Sequence, residues 1–311
     1  CGLRNRNSPI TIMCCDNIRQ NGLVLETQFL AYLYQTNQHE LAIWVKENVK
    51  FPSCMVDRIT PRTTEFLKEE IEEMFPGYGN NPVQTEEYSQ WVIEDNFASA
   101  FPDLSLVGAT VTSNLEPYEE TKIRILNGGH TSLAYLGALA GYSTFDQVMA
   151  NSVHREHFRK LQTEEIVPSI ESEVPFDLYD YMEQVEERIS SESNGDSLDR
   201  ICMDGFTKFH TFVVPSLRRC LEQGKRPIHT YKSIAAWYIY ARRFGRGCTK
   251  IKYSEPNWVL LEPLLRDNRV DDFVSNERLW GDIPKKYITF TRDLKTILLS
   301  QTYEKEIDLL G

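Results

Sequence analysis

Lys122, Asn127 and His130 lie together in "KIRILNGGHTSLAYLG" (122–137), a stretch that is otherwise apolar apart from Arg124, Thr131, Ser132 and a Gly-Gly pair. On a helix advancing roughly 100° per residue, with Lys122 at zero, His130 falls at roughly 80° and Asn127 at roughly 140°. The three polar groups therefore share one side, with Leu126 and Leu133 on or beside it. A lysine on such a face is partly desolvated, which lowers its pKa and suits a general base. An asparagine N–H can hold a developing alkoxide. A histidine can orient a hydroxyl. Gly128 and Gly129 cost about 1 kcal/mol each relative to alanine in a helix, so a ligand or another backbone is expected to come close there. Spacing alone leaves a second reading open: Lys122 snorkels to solvent, His130 is a satisfied core histidine, and Asn127 marks a helix break with the glycines.

The elements that must position these groups follow from the pattern. "SPITIMCC" (8–15) reads as one buried strand, and "DNIRQNG" as the loop after it. Helices are expected from Gly22 through "LVLETQFLAYLYQ", over 39–49 up to Pro52, and over 63–75. "CMVDRIT" (54–60) and "QWVIEDNF" (90–97) read as strands. From Pro117 onward the periodicity is helical, near 118–138, 144–163, 176–192, 203–223, 228–244 and 286–310. A single strand ahead of a helical body needs partners. The expectation is therefore a mainly α chain whose first strand remains from a sheet-containing domain that is otherwise absent.

The chain has 311 residues, 41% hydrophobic and 25% charged, as in an ordinary globular protein large enough for a substantial core. Its formal charge of −11 argues against a nucleic-acid partner, since an acidic chain gains nothing from counterion release. No apolar run is long enough to span a bilayer, so no membrane partner is expected. The seven cysteines are odd in number and contain no C-x-x-C pair, which points to a reducing compartment, the cytoplasm, and away from a zinc ribbon. There is no H-E-x-x-H and no Cys/His cluster, so no metal is expected. His39, His154, His157, His210 and His229 have no ligand spacing and read as surface or packing residues. Cys1 in place of a methionine leaves two alternatives: a mature lipoprotein lipidated at Cys1 and acting as a non-catalytic binding protein, or the C-terminal part of a longer protein.

Four segments in order, "CDNIRQNG" (15–22), "FPSCMVDRITP" (51–61), "QWVIEDNF" (90–97) and "KIRILNGGH" (122–130), resemble the signature blocks of the mannitol dehydrogenase family. These are the polyol-specific long-chain dehydrogenases with their sugar-acid relatives. "DGFTK" (204–208) resembles a further block. The resemblance implies a multi-helix substrate domain over 17–311, with residues 1–16 as the last strand of a Rossmann-type dinucleotide domain. It implies NAD as cofactor, with NADP equally open. By the same resemblance Lys122 is the acid/base, Asn17 and Asn127 polarise the reacting oxygen, and His130 holds a substrate hydroxyl. Asp57 faces nicotinamide and substrate, Val56 lies against the nicotinamide, and Arg200 and Lys208 match basic positions of the substrate pocket. The implied reaction is metal-independent oxidation of D-mannitol to D-fructose or of a related pentitol. The alternative is a reductase of the hexuronates fructuronate or tagaturonate, for which Arg200 and Lys208 would meet the carboxylate. The partner is a small polyol or sugar acid, and the protein is expected as a monomer or weak homodimer. Two departures touch the substrate side: "ASAFPDL" follows "EDNF" where the family runs into Gly-Arg-Pro, and Met203 stands where some members carry histidine. No G-x-G-x-x-G occurs, so the isolated chain is expected to be inactive without an upstream domain.

Overall fold

The first strand is not alone. In the computed structural model, which describes residues 8–79, 81–249, 253–266 and 269–300, β1 (Ile10–Thr11) pairs in parallel with β2 (Val49–Lys50). Parallel strands need a crossover. It is supplied by α1 (Asn21–Gln35) and α2 (His39–Asn48). Leu33, Ala42, Val45, Val49 and Phe51 form the core beneath them, with Ile10, Ile12 and Phe29 packed against it. The strand is shorter than 8–15 because its partner is short: β2 begins where α2 ends and is followed closely by Pro52, which has no N–H to give a ladder. A second sheet follows. β3 (Cys54–Asp57) runs antiparallel to β4 (Gln90–Glu94), and β4 pairs in parallel with β5 (Thr110–Thr112). The expectation of one remnant strand before a mainly α chain is thus corrected: two small sheets and a helical crossover occupy this region.

The chain divides into two compact units, Cys1–Ile59 with Thr85–Glu120, and Thr60–Gln84 with Thr121–Gly311. The expected boundary after residue 16 falls inside the first unit. Cys1, the proposed lipid site, and residues 301–310 of the last expected helix lie outside the described residues. No helix among the described residues is long and apolar enough to cross a membrane.

The second unit is helical. It holds α3 (Glu65–Met74) and takes over the chain within α4 (Glu116–Lys122). After a π-helical turn at Ile123–Gly128 come α5 (Gly129–Leu139), α6 (Phe145–Ala150) and α7 (Ser152–Lys160). A second π turn, Leu161–Ile166, precedes α8 (Leu178–Ile189), α9 (Leu198–Ile201) and α10 (Gly205–Lys208). A third, Phe209–Val213, leads into α11 (Val214–Glu222) and α12 (Ile228–Gly245). The core is aromatic, with Phe209 stacked on Trp237 at 4.6 Å. Trp237, Trp280, Tyr135 and Tyr231 are wholly buried.

Candidate functional site

Lys122 ends α4 and is buried, with 5% of its surface exposed. The next six residues wind as a π-helix, whose backbone bonds run from i to i+5. That winding sets residues five apart one above the other, as i and i+4 stand in an α-helix. Asn127, five residues after Lys122, therefore lies closer to the Lys122 side of the helix than the about 140° of α-helical winding. His130, in the first turn of α5, has its ring edge-on to Phe145 at 4.3 Å. Its Nε2 is buried without a hydrogen-bond partner. Burial pushes its pKa down to about 4; the Asp196 carboxylate pulls upward, and Arg200, Arg188 and Lys208 push further down. His130 is thus neutral near pH 7, with a ring nitrogen that a ligand hydroxyl would satisfy.

The glycine pair answers to protein, not ligand. A Cβ on Gly128 would stand 2.9 Å from the Phe212 carbonyl oxygen. One on Gly129 would stand 2.3 Å from Gln162 Nε2 and 2.8 Å from Phe158 Cε2. Gln162 is one of the residues that sequence reading missed. Fully buried, it donates from Nε2 to the Ile125 carbonyl at 2.7 Å, inside the π turn. Arg124 donates to the Ser169 carbonyl at 2.8 Å on the same stretch. The only signal in the sequence was the Gly-Gly pair itself.

Arg200 and Lys208 also lie in the second unit. Arg200 Nε donates to Asp196 Oδ1 at 2.8 Å, and its Nη2 meets Oδ2 of the same carboxylate. Lys208 Nζ donates to the Ile201 carbonyl at 2.8 Å and the Arg200 carbonyl at 3.3 Å. Burial, then the Arg200 charge, lowers the Lys208 pKa. The "DGFTK" turn that carries Lys208 is fixed from behind. Asp204 takes a left-handed φ of 54°. A Cβ on Gly205 would stand 2.4 Å from Trp237 Nε1. Glu255 accepts from the Phe206 N–H at 3.0 Å and from the Tyr253 hydroxyl at 2.8 Å. Met203, the departure noted above, is exposed.

Asn17, Val56 and Asp57 belong to the first unit. Asn17 is exposed, on the bend between β1 and α1, with its N–H donating to Asp16 Oδ1 at 2.8 Å. Val56 is half-buried and Asp57 buried on β3, opposite Trp91 and Gln90 of β4. Asn21 ties the bend to the strand. Its Nδ2 donates to the Asp16 and Cys54 carbonyls, both at 2.8 Å, and its Oδ1 accepts from the Cys54 N–H at 2.8 Å. Next to it, a Cβ on Gly22 would stand 2.3 Å from the Phe51 carbonyl oxygen. The blocks "CDNIRQNG" and "FPSCMVDRITP" are thereby locked together. On the other side of the bend, Gln20 donates its N–H to Glu119 Oε1 at 3.0 Å, and burial raises the Glu119 pKa. Asn17 thus stands on a loop at the carboxyl end of β1, the edge of a parallel pair where ligands of open α/β sheets bind. An exposed amide there, with Val56 on β3, fits the nicotinamide end of a dinucleotide.

The comparisons with known proteins also find two domains, with residues 60–84, which belong to the second unit, inside the Rossmann match. The mannitol dehydrogenase C-terminal domain family matches residues 114–298, and the mannitol dehydrogenase Rossmann domain family matches residues 2–106. The Rossmann domain is therefore present, which overturns the expectation that it is absent; the expected inactivity of the isolated chain rested on that absence and falls with it. Mannitol 2-dehydrogenase of Cereibacter sphaeroides is 35% identical over 89% of this chain and 58% of its own length. D-mannonate oxidoreductase of Escherichia coli is 37% identical over 79% of this chain and 50% of its own. Among solved structures, Pseudomonas fluorescens mannitol 2-dehydrogenase, a ternary complex with NAD and D-mannitol, superimposes with a TM-score of 0.81 and 30% identity, covering 97% of this chain and 62% of that one. The chain spans about half the length of the curated relatives it matches.

Proposed function

The chain belongs to the mannitol dehydrogenase family, and on that premise we propose that it serves an NAD-dependent oxidation of a secondary alcohol in an alditol, D-mannitol to D-fructose or a related pentitol. The observation that supports the reading is buried Lys122 followed directly by the π turn that carries Asn127, with the buried, unpaired Nε2 of His130 in the next helix. Lys122 Nζ takes the proton of the substrate hydroxyl and returns it in the reverse direction. The amide N–H groups of Asn127 and Asn17 hold the oxygen as charge develops on it. His130, neutral, orients a neighbouring hydroxyl. Asp57 and Val56 bind toward the nicotinamide, and Arg200 and Lys208 border the substrate. When bound, NAD supplies the hydride acceptor. Lysine and amides do here what a zinc ion does in other alcohol dehydrogenases, so the reaction runs without metal.

The experiment is an NAD-linked assay of the full-length protein against D-mannitol, D-arabinitol, D-sorbitol and D-mannonate, before and after dialysis against a chelator. Turnover is expected on an alditol and is expected to survive the chelator. Lys122→Ala should lower it by roughly two to four orders of magnitude, the usual range for a general acid/base. Near-normal turnover in that variant, or activity lost to chelation and restored by zinc, refutes the mechanism.

A further inference from the structure

We propose that Asp196 sets the substrate class by neutralising Arg200, so that the substrate site proposed at His130 takes a neutral polyol and disfavours a carboxylate. The inference rests on the polyol reading above and sharpens it. A sugar acid needs a cation free to receive its carboxylate, best a guanidinium offering two parallel N–H groups. Arg200 is the half-exposed cation of this region, with 49% of its side chain accessible, and its Nε–Nη2 edge and its charge are already matched by the two oxygens of Asp196. The carboxylate is the fixed member of that pair, with only 5% of its side chain exposed. The backbone holds it there. The Asp196 carbonyl accepts from the Phe145 N–H at 2.9 Å, and Ser197 bridges to Thr144. This is the same segment that seats Phe145 against His130.

Drawing Arg200 away to a ligand would leave a buried carboxylate unpaired, which is strongly unfavourable. The other cations near His130 do not replace it. Lys208 commits N–H groups to the Ile201 and Arg200 carbonyls. Arg188 is buried on α8 and engaged in interactions of its own. The charge that a sugar acid would require is therefore balanced within the protein before any ligand arrives.

Asp196→Asn keeps the shape and removes the opposing charge. In the full-length protein, the probes are D-gluconate binding by calorimetry and the ratio of kcat/KM for D-mannonate over D-mannitol. Asp196→Asn is expected to raise gluconate affinity and the mannonate:mannitol ratio about tenfold, worth about 1.4 kcal/mol. The gain should shrink with added salt. The double variant Asp196→Asn with Arg200→Gln should return both to wild-type values, because the gain runs through Arg200. It also keeps the test open if the single variant fails to fold. An unchanged gluconate affinity in a folded Asp196→Asn, a wild type that already prefers mannonate, or a double variant that loses affinity for gluconate tenfold each overturn the proposal. Absence of NAD-linked turnover on every alditol would instead remove the polyol reading, while the gluconate titrations would still decide the role of Asp196.

Discussion

In the first unit the residues proposed to meet the cofactor stand on a bend and on a four-residue strand; in the second, Lys122, Asn127 and His130 stand along one run of helix. The bend is held by polar bonds from a single side chain, Asn21, and by the Glu119 carboxylate. The helix run is held by bulk, with Phe158, Gln162 and the Phe212 backbone pressed against its glycines. A loop owes its shape to a few hydrogen bonds and loses it when one donor goes. A packed helix spreads the same duty over many contacts. The two regions should therefore fail in different ways.

The largest expected difference is at Asn21. Asn21→Ala leaves the buried N–H of Cys54 without its partner and weakens the tie at two carbonyls. At about 1–3 kcal/mol for each stranded buried group, the first unit should lose roughly 2–5 kcal/mol. Hydrogen exchange reads the units separately. Protection should fall at β3 and β4 and hold in α12. Equal losses in both would break the contrast drawn here.

A smaller effect sharpens it. Gly22 and Gly129 both lie in helices where alanine is intrinsically better by about 1 kcal/mol. A Cβ on Gly22 meets only backbone, the Phe51 oxygen at 2.3 Å with Pro52 C and Ser53 N each at 2.7 Å. A Cβ on Gly129 meets the end of the Gln162 side chain and the Phe158 ring. Backbone cannot step aside, whereas a side chain can. Gly22→Ala should cost about 3 kcal/mol, at the upper end of overpacking, and Gly129→Ala about 1 kcal/mol. Denaturant titration of the two variants checks the order. A Gly129→Ala variant less stable than Gly22→Ala would mean that Gln162 is as rigid as backbone.

The same contrast explains what the sequence could tell. Helices longer than two turns were legible, because burial writes a 3.6-residue period into them: α1, α2, α3 and α12 fall where the pattern puts them. The π turns were not, since one extra residue in a turn leaves the apolar pattern almost intact. The bond from Gln162 that belongs to the 123–128 turn comes from 37 residues further along the chain. β2 and β5, two and three residues long, are too short to carry a period at all. The Rossmann domain was misjudged because the reading rested on a missing glycine motif, while the parallel pair and its crossover carry no such mark. Of the candidate site, the residue types in "KIRILNGGH" were legible and their winding was not. Asn21, Gln162 and Glu255 escaped because a polar residue that serves the backbone has the same letter as one that serves solvent.

The smallest expected effect concerns acid. In the second unit His157 Nε2 lies 3.2 Å from Ser233 Oγ, and its ring meets that of His229 at 5.4 Å. Lys232, His154 and His229 supply the charges it feels, and His229 Nε2 lies 3.5 Å from a Glu164 carboxylate oxygen. Burial, with those neighbours, pushes the His157 pKa down to about 3, and burial alone lowers that of His154. The sign follows from which state takes the proton first. An unfolded chain with histidines near 6.5 binds protons while the folded unit still refuses them. Stability from these groups is complete above about pH 6.5 and drains away as pH falls toward the folded values. Glu165, whose pKa burial raises, works in the opposite sense, its contribution growing as the pH falls. For His157 the loss by pH 6 is roughly 0.8 kcal/mol by that linkage. The described part of the first unit has His39 as its one histidine, and it is exposed. Between pH 7.5 and 6, then, exchange protection should decline in α7 and α12 and stay level in β3 and β4. His157→Leu should lessen the decline, with His130 and His154 supplying the rest, and His39→Leu should not. A first unit that weakens in step with the second over this window would show that the histidines are not what separates them.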